Sequence, residues 1–291
     1  MTTSNDDENN YLELLKLVKN NGIKKNTRNG ITYSYFAHLL KFDISKHYPL
    51  LTTKKMFFKG IVEELLWFLR GSVNSKELES KGVNIWKGNS SRQYLDANGF
   101  SNYEEGYLGP IYGYQWRSFN GKIDQLKYLL EELKLENSRR IIINAWNPCQ
   151  LHEQALPPCH ILYNFFKNND EISCMMYMRS SDLFLGLPFN IASTALLTHI
   201  IAKVSGLKVK EIAISICDCH IYEEHLEPLN IQLERQPNEF PSINIKKEIN
   251  DINNIDNKSI DEKIKWIEDL CFEDFELINY NYYPSLKAIM K

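Results

Sequence analysis

Apolar residues recur at helical spacing in residues 11–18 (YLELLKLV) and predict a helix that ends at Asn21-Gly22. Residues 59–69 predict a longer helix closed by Gly71, apolar almost all round its wheel. Glu64 falls between Trp67 and Phe68 on that wheel, so its carboxylate is expected to be partly buried. Residues 31–36 and 39–42 read as short strands, and residues 123–135 as an amphipathic helix. Beyond them the apolar period shortens to two. Residues 141–146, 161–166, 172–179 and 212–217 read as strands, with a helix over 191–204 stopped by Gly206. Residues 85–116 combine glycines and aromatics without a period, which predicts a long irregular segment carrying function. The polar residues 1–10 read as a disordered tail. Residues 246–269 read as a surface insertion, loop first and helix over 259–270. Strands and helices mix without a βαβ rhythm. The expectation is a single α+β domain over residues 11–291, one mixed sheet flanked by helices.

The charges nearly balance: 34 Lys+Arg face 37 Asp+Glu, a net charge of -3. That excludes a generally basic nucleic-acid binder, so no nucleic-acid partner is expected. No run reaches about 18 apolar residues, so no membrane span is expected. The first residues lack a signal peptide's apolar core, and a cytoplasmic location is expected. The six cysteines stand at 149, 159, 174, 217, 219 and 271, without paired metal-site spacing. Cys217-x-Cys219 with His220 lacks a second pair, so no metal is expected and the thiols should be free. Arginine is scarce, 8 residues against 26 lysines. In such a chain arginine should persist chiefly where a planar, bidentate contact to phosphate or carboxylate is needed.

Three segments carry candidate chemistry. In Leu156-Pro157-Pro158-Cys159-His160, two prolines stiffen the approach to a cysteine that opens a strand. Cys159 is either a nucleophile, its pKa lowered by nearby cations, or a small buried hydrophobe. Ser138-Arg139-Arg140 places two arginines before a strand, as an anion site or an ordinary surface pair. Arg179-Ser180-Ser181-Asp182 leads into Gly186-Leu187-Pro188-Phe189-Asn190. Arg179 with the hydroxyls suits an anion. Asn190 either caps a helix or reads a pyrimidine edge with its donor and acceptor.

The blocks EELLWFLRG (63–71), LGPIYGYQWR (108–117), SRRIIINAWNP (138–148), PPCH (157–160), RSSD (179–182), LGLPFNIAS (185–193) and DCHIY (218–222) resemble the folate-dependent thymidylate synthase family, in order over residues 10–287. The resemblance implies reductive methylation of dUMP to dTMP, with 5,10-methylenetetrahydrofolate as co-substrate and dihydrofolate as product. It implies Cys159 as the nucleophile adding to the uracil ring, beside Arg179. Arg28, Arg139, Arg140, Arg179 and Ser180 would bind the phosphate, Arg139 and Arg140 being donated by the partner across a sheet-mediated homodimer. Asn190 would read uracil, and His220 and Tyr222 the deoxyribose hydroxyl. Glu64 and Tyr112 would serve proton transfers. Asp182 would accept from the pterin, with Trp86, Leu185 and Gly186 near the folate. Related dCMP hydroxymethylases carry Asp at the position of Asn190, so Asn190 favours dUMP.

Several positions depart from the family pattern. The loop after Arg28 (Asn29-Gly30-Ile31-Thr32) is one residue short. Lys87 and Tyr107 stand where Asp is usual, Met178 where Gln is, and Cys217 where Gly is. Tyr282-Tyr283-Pro284 replaces Pro-His-Pro, and the chain finishes Ala288-Ile289-Met290-Lys291. A divergent nucleotide-binding homologue of low activity and a pyrimidine nucleotide hydroxymethylase are the alternative readings.

Overall fold

A computed structural model of the chain describes residues 5–249 and 258–290. The expected tail's residues 1–4, the middle of the expected insertion and Lys291 lie outside them. Helix α1 (Asp6–Asn21) corrects the expected tail. Asn5 accepts from the Glu8 N–H, and Asp6, Asp7 and Glu8 occupy the first turn, where the helix dipole favours acids. The acidic run that looked like a solvated tail is a helix start. Glu8 is buried and accepts from the N–H and hydroxyl groups of Thr52 and Thr53 at 2.7–3.0 Å, pinning α1 to that segment.

Strands β1 (Ile23–Thr27) and β2 (Gly30–Asp43) form a hairpin. The two strands expected in this stretch are one, with Ala37 at φ 60 marking the break between them. Helices α2 (Phe58–Leu69), α3 (Lys76–Glu79), α4 (Arg92–Ala97), α5 (Tyr112–Ser118) and α6 (Gln125–Lys134) follow. The segment expected to be irregular thus holds two short helices, and α5 brings Tyr112 to the core. There follow β3 (Ile142–Asn144), β4 (His160–Asn168), β5 (Glu171–Asp182), α7 (Gly186–Ser205) and β6 (Lys208–Tyr222). Then come α8 (Leu226–Leu233), β7 (Ser242–Ile245), α9 (Ile260–Glu268) and β8 (Phe275–Ile278). Gly206 ends α7 at φ 67, a left-handed cap that glycine adopts without steric cost.

The main sheet runs β1-β2-β6-β5-β4-β3, all neighbours antiparallel except the parallel pair β5 and β6. Helix α7 packs on β5 and β6. Its 20 residues are long and apolar enough to cross a bilayer, but 78% of its apolar window is buried inside the fold. That burial marks a core helix. The second expectation to be corrected is the solvated insertion. Helix α9 forms where expected, with a Ser259–Glu262 capping box, but Ile264 and Ile267 are buried, so one face belongs to the core.

One irregularity positions the site. Along β5 the buried residues are Ile172, Cys174, Met176 and Met178, then Ser181; along β6 they are Ile212, Ile214 and Ile216, then Cys219, Ile221 and Tyr222. The alternation slips by one residue in both strands, in the row that holds Arg179 and Cys217 beside Ala37 of β2. Because strand side chains alternate, the slip turns Ser180, Asp218 and His220 away from the core, toward the sheet's uncovered face.

Candidate active site

Cys159 precedes β4, where its carbonyl accepts from the Arg179 N–H at 2.9 Å. Arg179 is clamped by the chain around the thiol. Its Nε donates to the Pro158 carbonyl at 2.7 Å and Nη2 to that of Pro157 at 3.0 Å, with Nη2 3.6 Å from Cys159 Sγ. The two prolines thus set both the thiol and its cation. The Cys159 N–H donates to the Tyr112 hydroxyl at 2.7 Å. Burial pushes the Cys159 thiol up, and Arg179 and Tyr112 oppose this without prevailing. The lowered pKa expected from Arg179 is therefore not that of the resting chain, in which the thiol is protonated and must lose its proton to react.

Tyr112 is held by close helix packing. A Cβ on Gly113 would stand 2.6 Å from the Phe68 carbonyl oxygen, so only glycine lets α5 lie this near α2. Burial and the neighbouring Cys159 keep the Tyr112 phenol well above its ordinary pKa. Its ring stacks on His160, centroids 4.2 Å apart. His160 is buried beside Tyr163, whose hydroxyl is 3.2 Å from Nδ1, and burial pulls it down to about 3. His160 is thus a neutral member of the site that no role was read for, although it adjoins Cys159 in sequence.

Glu64 lies on α2 as the wheel predicted. The Trp86 indole donates to it at 2.7 Å, and burial, only partly countered by that bond, raises its carboxyl to about 7. Trp86 packs between Trp67, Phe68 and Tyr112, so it serves Glu64 directly. Asn190 sits inside α7, whose cap position is Leu185. The capping role is thereby excluded. No protein group bonds its side-chain amide among the described residues, which leaves the amide to a ligand. Leu185 and Gly186 stand at the start of α7, beside Asp182. Asp182 accepts from the Phe184 N–H at 2.9 Å. Although burial works against it, His225, His220 and that N–H hold its carboxyl below the usual range, ionised and ready to accept.

Arg28, Ser180, His220 and Tyr222 line one cavity of about 160 Å³, together with Asp218. Ser180 Oγ is 3.4 Å from His220 Nδ1. Arg139 and Arg140 do not join them. Both are exposed ahead of β3, at the opposite edge of the sheet from the Arg28 turn. At ~4.8 Å per strand, four strand steps separate β2 from β3, roughly 19 Å. One chain therefore brings together the thiol with its guanidinium, a carboxyl near neutrality, a phenol and a polar cavity, and leaves two expected arginines outside. The departures are accommodated. Met178 is buried, Tyr107 packs edge-on against Tyr103, and Cys217 is a free, half-buried thiol.

A thiol set against a fixed cation, with a half-buried carboxyl near neutrality and a neighbouring phenol, is an arrangement suited to attack on a substrate through cysteine. The chain belongs to the thymidylate synthase family, whose sequence profile matches residues 9–291. The human protein named thymidylate synthase is 44% identical over 96% of this chain and 89% of its own length. A Paramecium tetraurelia protein named bifunctional dihydrofolate reductase-thymidylate synthase is 45% identical over 97% of this chain. A protein of the same name from Leishmania major is 42% identical over 98% of it. This chain spans 61% and 55% of those two bifunctional relatives.

Proposed function

We propose that the chain converts dUMP to dTMP, with 5,10-methylenetetrahydrofolate as carbon donor and reductant and dihydrofolate as second product. The observation that carries the reading is the Cys159–Arg179–Tyr112 cluster, with the free Asn190 amide and the polar cavity on the same chain. Cys159 Sγ adds to C6 of the uracil ring and so makes C5 a nucleophile. Bound folate supplies the methylene and then a hydride, and leaves as dihydrofolate. Glu64, near its midpoint at neutral pH, accepts and returns protons through water, and Tyr112 takes part in removing the C5 proton. Expulsion of the Cys159 thiolate releases dTMP. Asp182 suits the folate because an ionised, half-buried carboxylate accepts from the pterin's N–H groups, with Leu185 and Gly186 as its neighbours and Trp86 close to Glu64. His220 and Tyr222 suit a sugar hydroxyl. The test is incubation with both substrates while dihydrofolate absorbance is followed. A product carrying a hydroxymethyl group would support the hydroxymethylase reading instead, and dUMP binding without turnover the inactive one.

We further propose a homodimer across the uncovered sheet face, acting in the cytosol, where free thiols persist. Phe36, Leu39, Phe166 and Met175 are 79%, 50%, 66% and 44% exposed. Register sets Leu39 beside Ser215, and Met175 opposite Asn164, the second residue before Phe166. An apolar face of this kind favours a partner. The slipped alternation turns Ser180 and His220 toward the same face. A two-fold partner could then bring Arg139 and Arg140 to the phosphate. Cys159→Ser and Arg140→Glu are each expected to be inactive, and mixing them after mild dissociation should restore activity. Subunit exchange without recovery would place the arginine pair outside the phosphate site.

A further inference from the structure

His225 plays no part in the reaction described above, yet it bridges two of its parts. Its side chain is fully buried. Nε2 lies 2.8 Å from the Ile289 carbonyl oxygen, and Nδ1 lies 3.6 Å from Asp182 Oδ1, beyond hydrogen-bond distance. The rings of Phe184 and Tyr222 hold the imidazole, with centroids at 5.5 and 5.3 Å. Ile289 ends a strap that crosses the segment 51–56. The Tyr280 hydroxyl donates to the Leu51 carbonyl and the Tyr283 N–H to that of Thr52, each at 2.8 Å, and Arg235 Nη1 donates to the Pro284 carbonyl at 2.8 Å. The Ile289 and Met290 residues are 65% and 61% exposed, so beyond the partly buried Leu286 and Ala288 the contact that holds this end is the His225 bond.

The chemistry of the bridge is specific. A carbonyl only accepts, so Nε2 must carry hydrogen. In a neutral ring, Nδ1 would then turn a lone pair toward the Asp182 carboxylate. In the imidazolium both nitrogens donate, one to the strap and one toward Asp182. Lys54 also faces this pair, its Nζ donating to the Phe184 carbonyl, with Glu8 and Tyr11 behind it and His220 and Tyr222 on β6. Burial and Lys54 oppose charge on His225, but Asp182 and the Ile289 carbonyl outweigh them and raise its pKa.

We propose that His225 is a latch that ties the closed C-terminal strap to the orientation of Asp182. It is a positioning residue, and its effect on the co-substrate rests on the reading of Asp182 as the folate carboxylate. Strap closure and folate binding then favour the same His225 geometry, so each strengthens the other by an equal factor. The experiment compares His225→Asn and His225→Gln in the full chain. A Gln amide reaches the Nε2 position and donates to Ile289; an Asn amide falls short. Hydrogen exchange of the Tyr283 N–H, which the strap holds on the Thr52 carbonyl, folate KM and dUMP Kd are measured. In His225→Asn the strap is expected to exchange several-fold faster and folate KM to rise about tenfold, with dUMP Kd unchanged. His225→Gln should keep slow exchange. In the parent, exchange corrected for its intrinsic rate should quicken as pH rises through the raised His225 pKa, and in His225→Gln only the part owed to Lys54, lowered to about 7 beside it, should remain. If a folded His225→Asn strap exchanges like the parent's, the latch is overturned. Should His225→Asn not fold, a parent strap with no such pH dependence overturns it equally. Fast exchange with unchanged folate KM keeps the latch and overturns the folate role of Asp182.

Discussion

The surroundings of Cys159 and the surroundings of Arg28 are built on opposite principles. Around Cys159, helices α2 and α5, strand β4 and the Trp86 loop supply an aromatic cage of Phe68, Trp86, Tyr112, Trp116 and His160, and burial moves Glu64, Tyr112, Cys159 and His160 from their ordinary values. The proton affinities of these groups are set by burial, within one chain. Around Arg28 the cavity is shallow and polar, on a hairpin whose β1 is exposed throughout, and two of the expected cations stand at the far sheet edge. Low dielectric suits groups that must change protonation state, whereas a dianion is better met by cations that remain solvated until it arrives. On the proposed reading, the contrast teaches that the chemistry is complete in one chain while recognition of the anion is still to be assembled.

The sharpest way to break that contrast is at the thiol. Cys159→Ser is expected to lose essentially all turnover while keeping dUMP affinity within a few-fold, because the cage carries chemistry and the cavity carries binding. A fluorinated dUMP analogue with folate should leave covalent mass on Cys159 alone. Mass on Cys149 or Cys217 would move the nucleophile elsewhere.

Glu64→Gln should come next, with kcat down about 10²–10⁴-fold. It also reads the cage through stability. Glu64 is raised from its ordinary value to about 7, so the folded chain holds its proton more tightly than the unfolded one. Ionising it then costs the folded state, and stability from this group falls as pH rises from about 4.5 to 7. Glu64→Gln should therefore raise Tm relative to the parent more at pH 8 than at pH 5. An equal difference at both would show that burial does not set this carboxyl.

How much of this was legible in the sequence follows from the same division. Elements with a strong period, such as α2, α6, α7 and the strands from β4 to β6, were readable because burial imposes the period. So was the partial burial of Glu64. Strand β1 was not, since all five of its residues are exposed and IKKNT carries no apolar alternation. Helix α1 was placed too late because its cap and acidic first turn share the composition of a disordered tail. The raised Cys159 pKa was missed because sequence shows that an arginine is near but not how deeply the thiol is buried. His225 was silent for a related reason: both of its partners, Asp182 and Ile289, are distant in sequence.

Asn190→Asp tests the boundary between the two regions. A carboxylate can accept from a cytosine amino group but cannot donate to the uracil O4. Mismatched polar groups at a buried site cost about 1–3 kcal/mol, roughly 5- to 150-fold. The uracil-to-cytosine ratio of kcat/KM should shift by that much, with the Cys159 adduct still forming on the favoured base. A variant that keeps the parent's preference would show that Asn190 does not read the base.

The smallest effect is expected on the strap. Arg235 Nη1 donates to the Thr53 carbonyl at 2.6 Å and the Pro284 carbonyl at 2.8 Å, and its guanidinium stacks 5.3 Å from the Tyr283 ring. It thereby joins the strap to the segment that Glu8 holds from the other side. Lysine retains the charge but not the planar fork that serves two carbonyls and a ring at once. Arg235→Lys should therefore loosen the strap without touching the cage: folate KM is expected to rise about two- to twelvefold, one lost bond being worth about 0.5–1.5 kcal/mol. kcat at saturating folate and the rate of Cys159 adduct formation with dUMP analogue should stay at the parent's values. A fall in kcat with unchanged folate KM would mean that the strap reaches the chemistry itself, and the division between a finished cage and an assembled periphery would have to be redrawn.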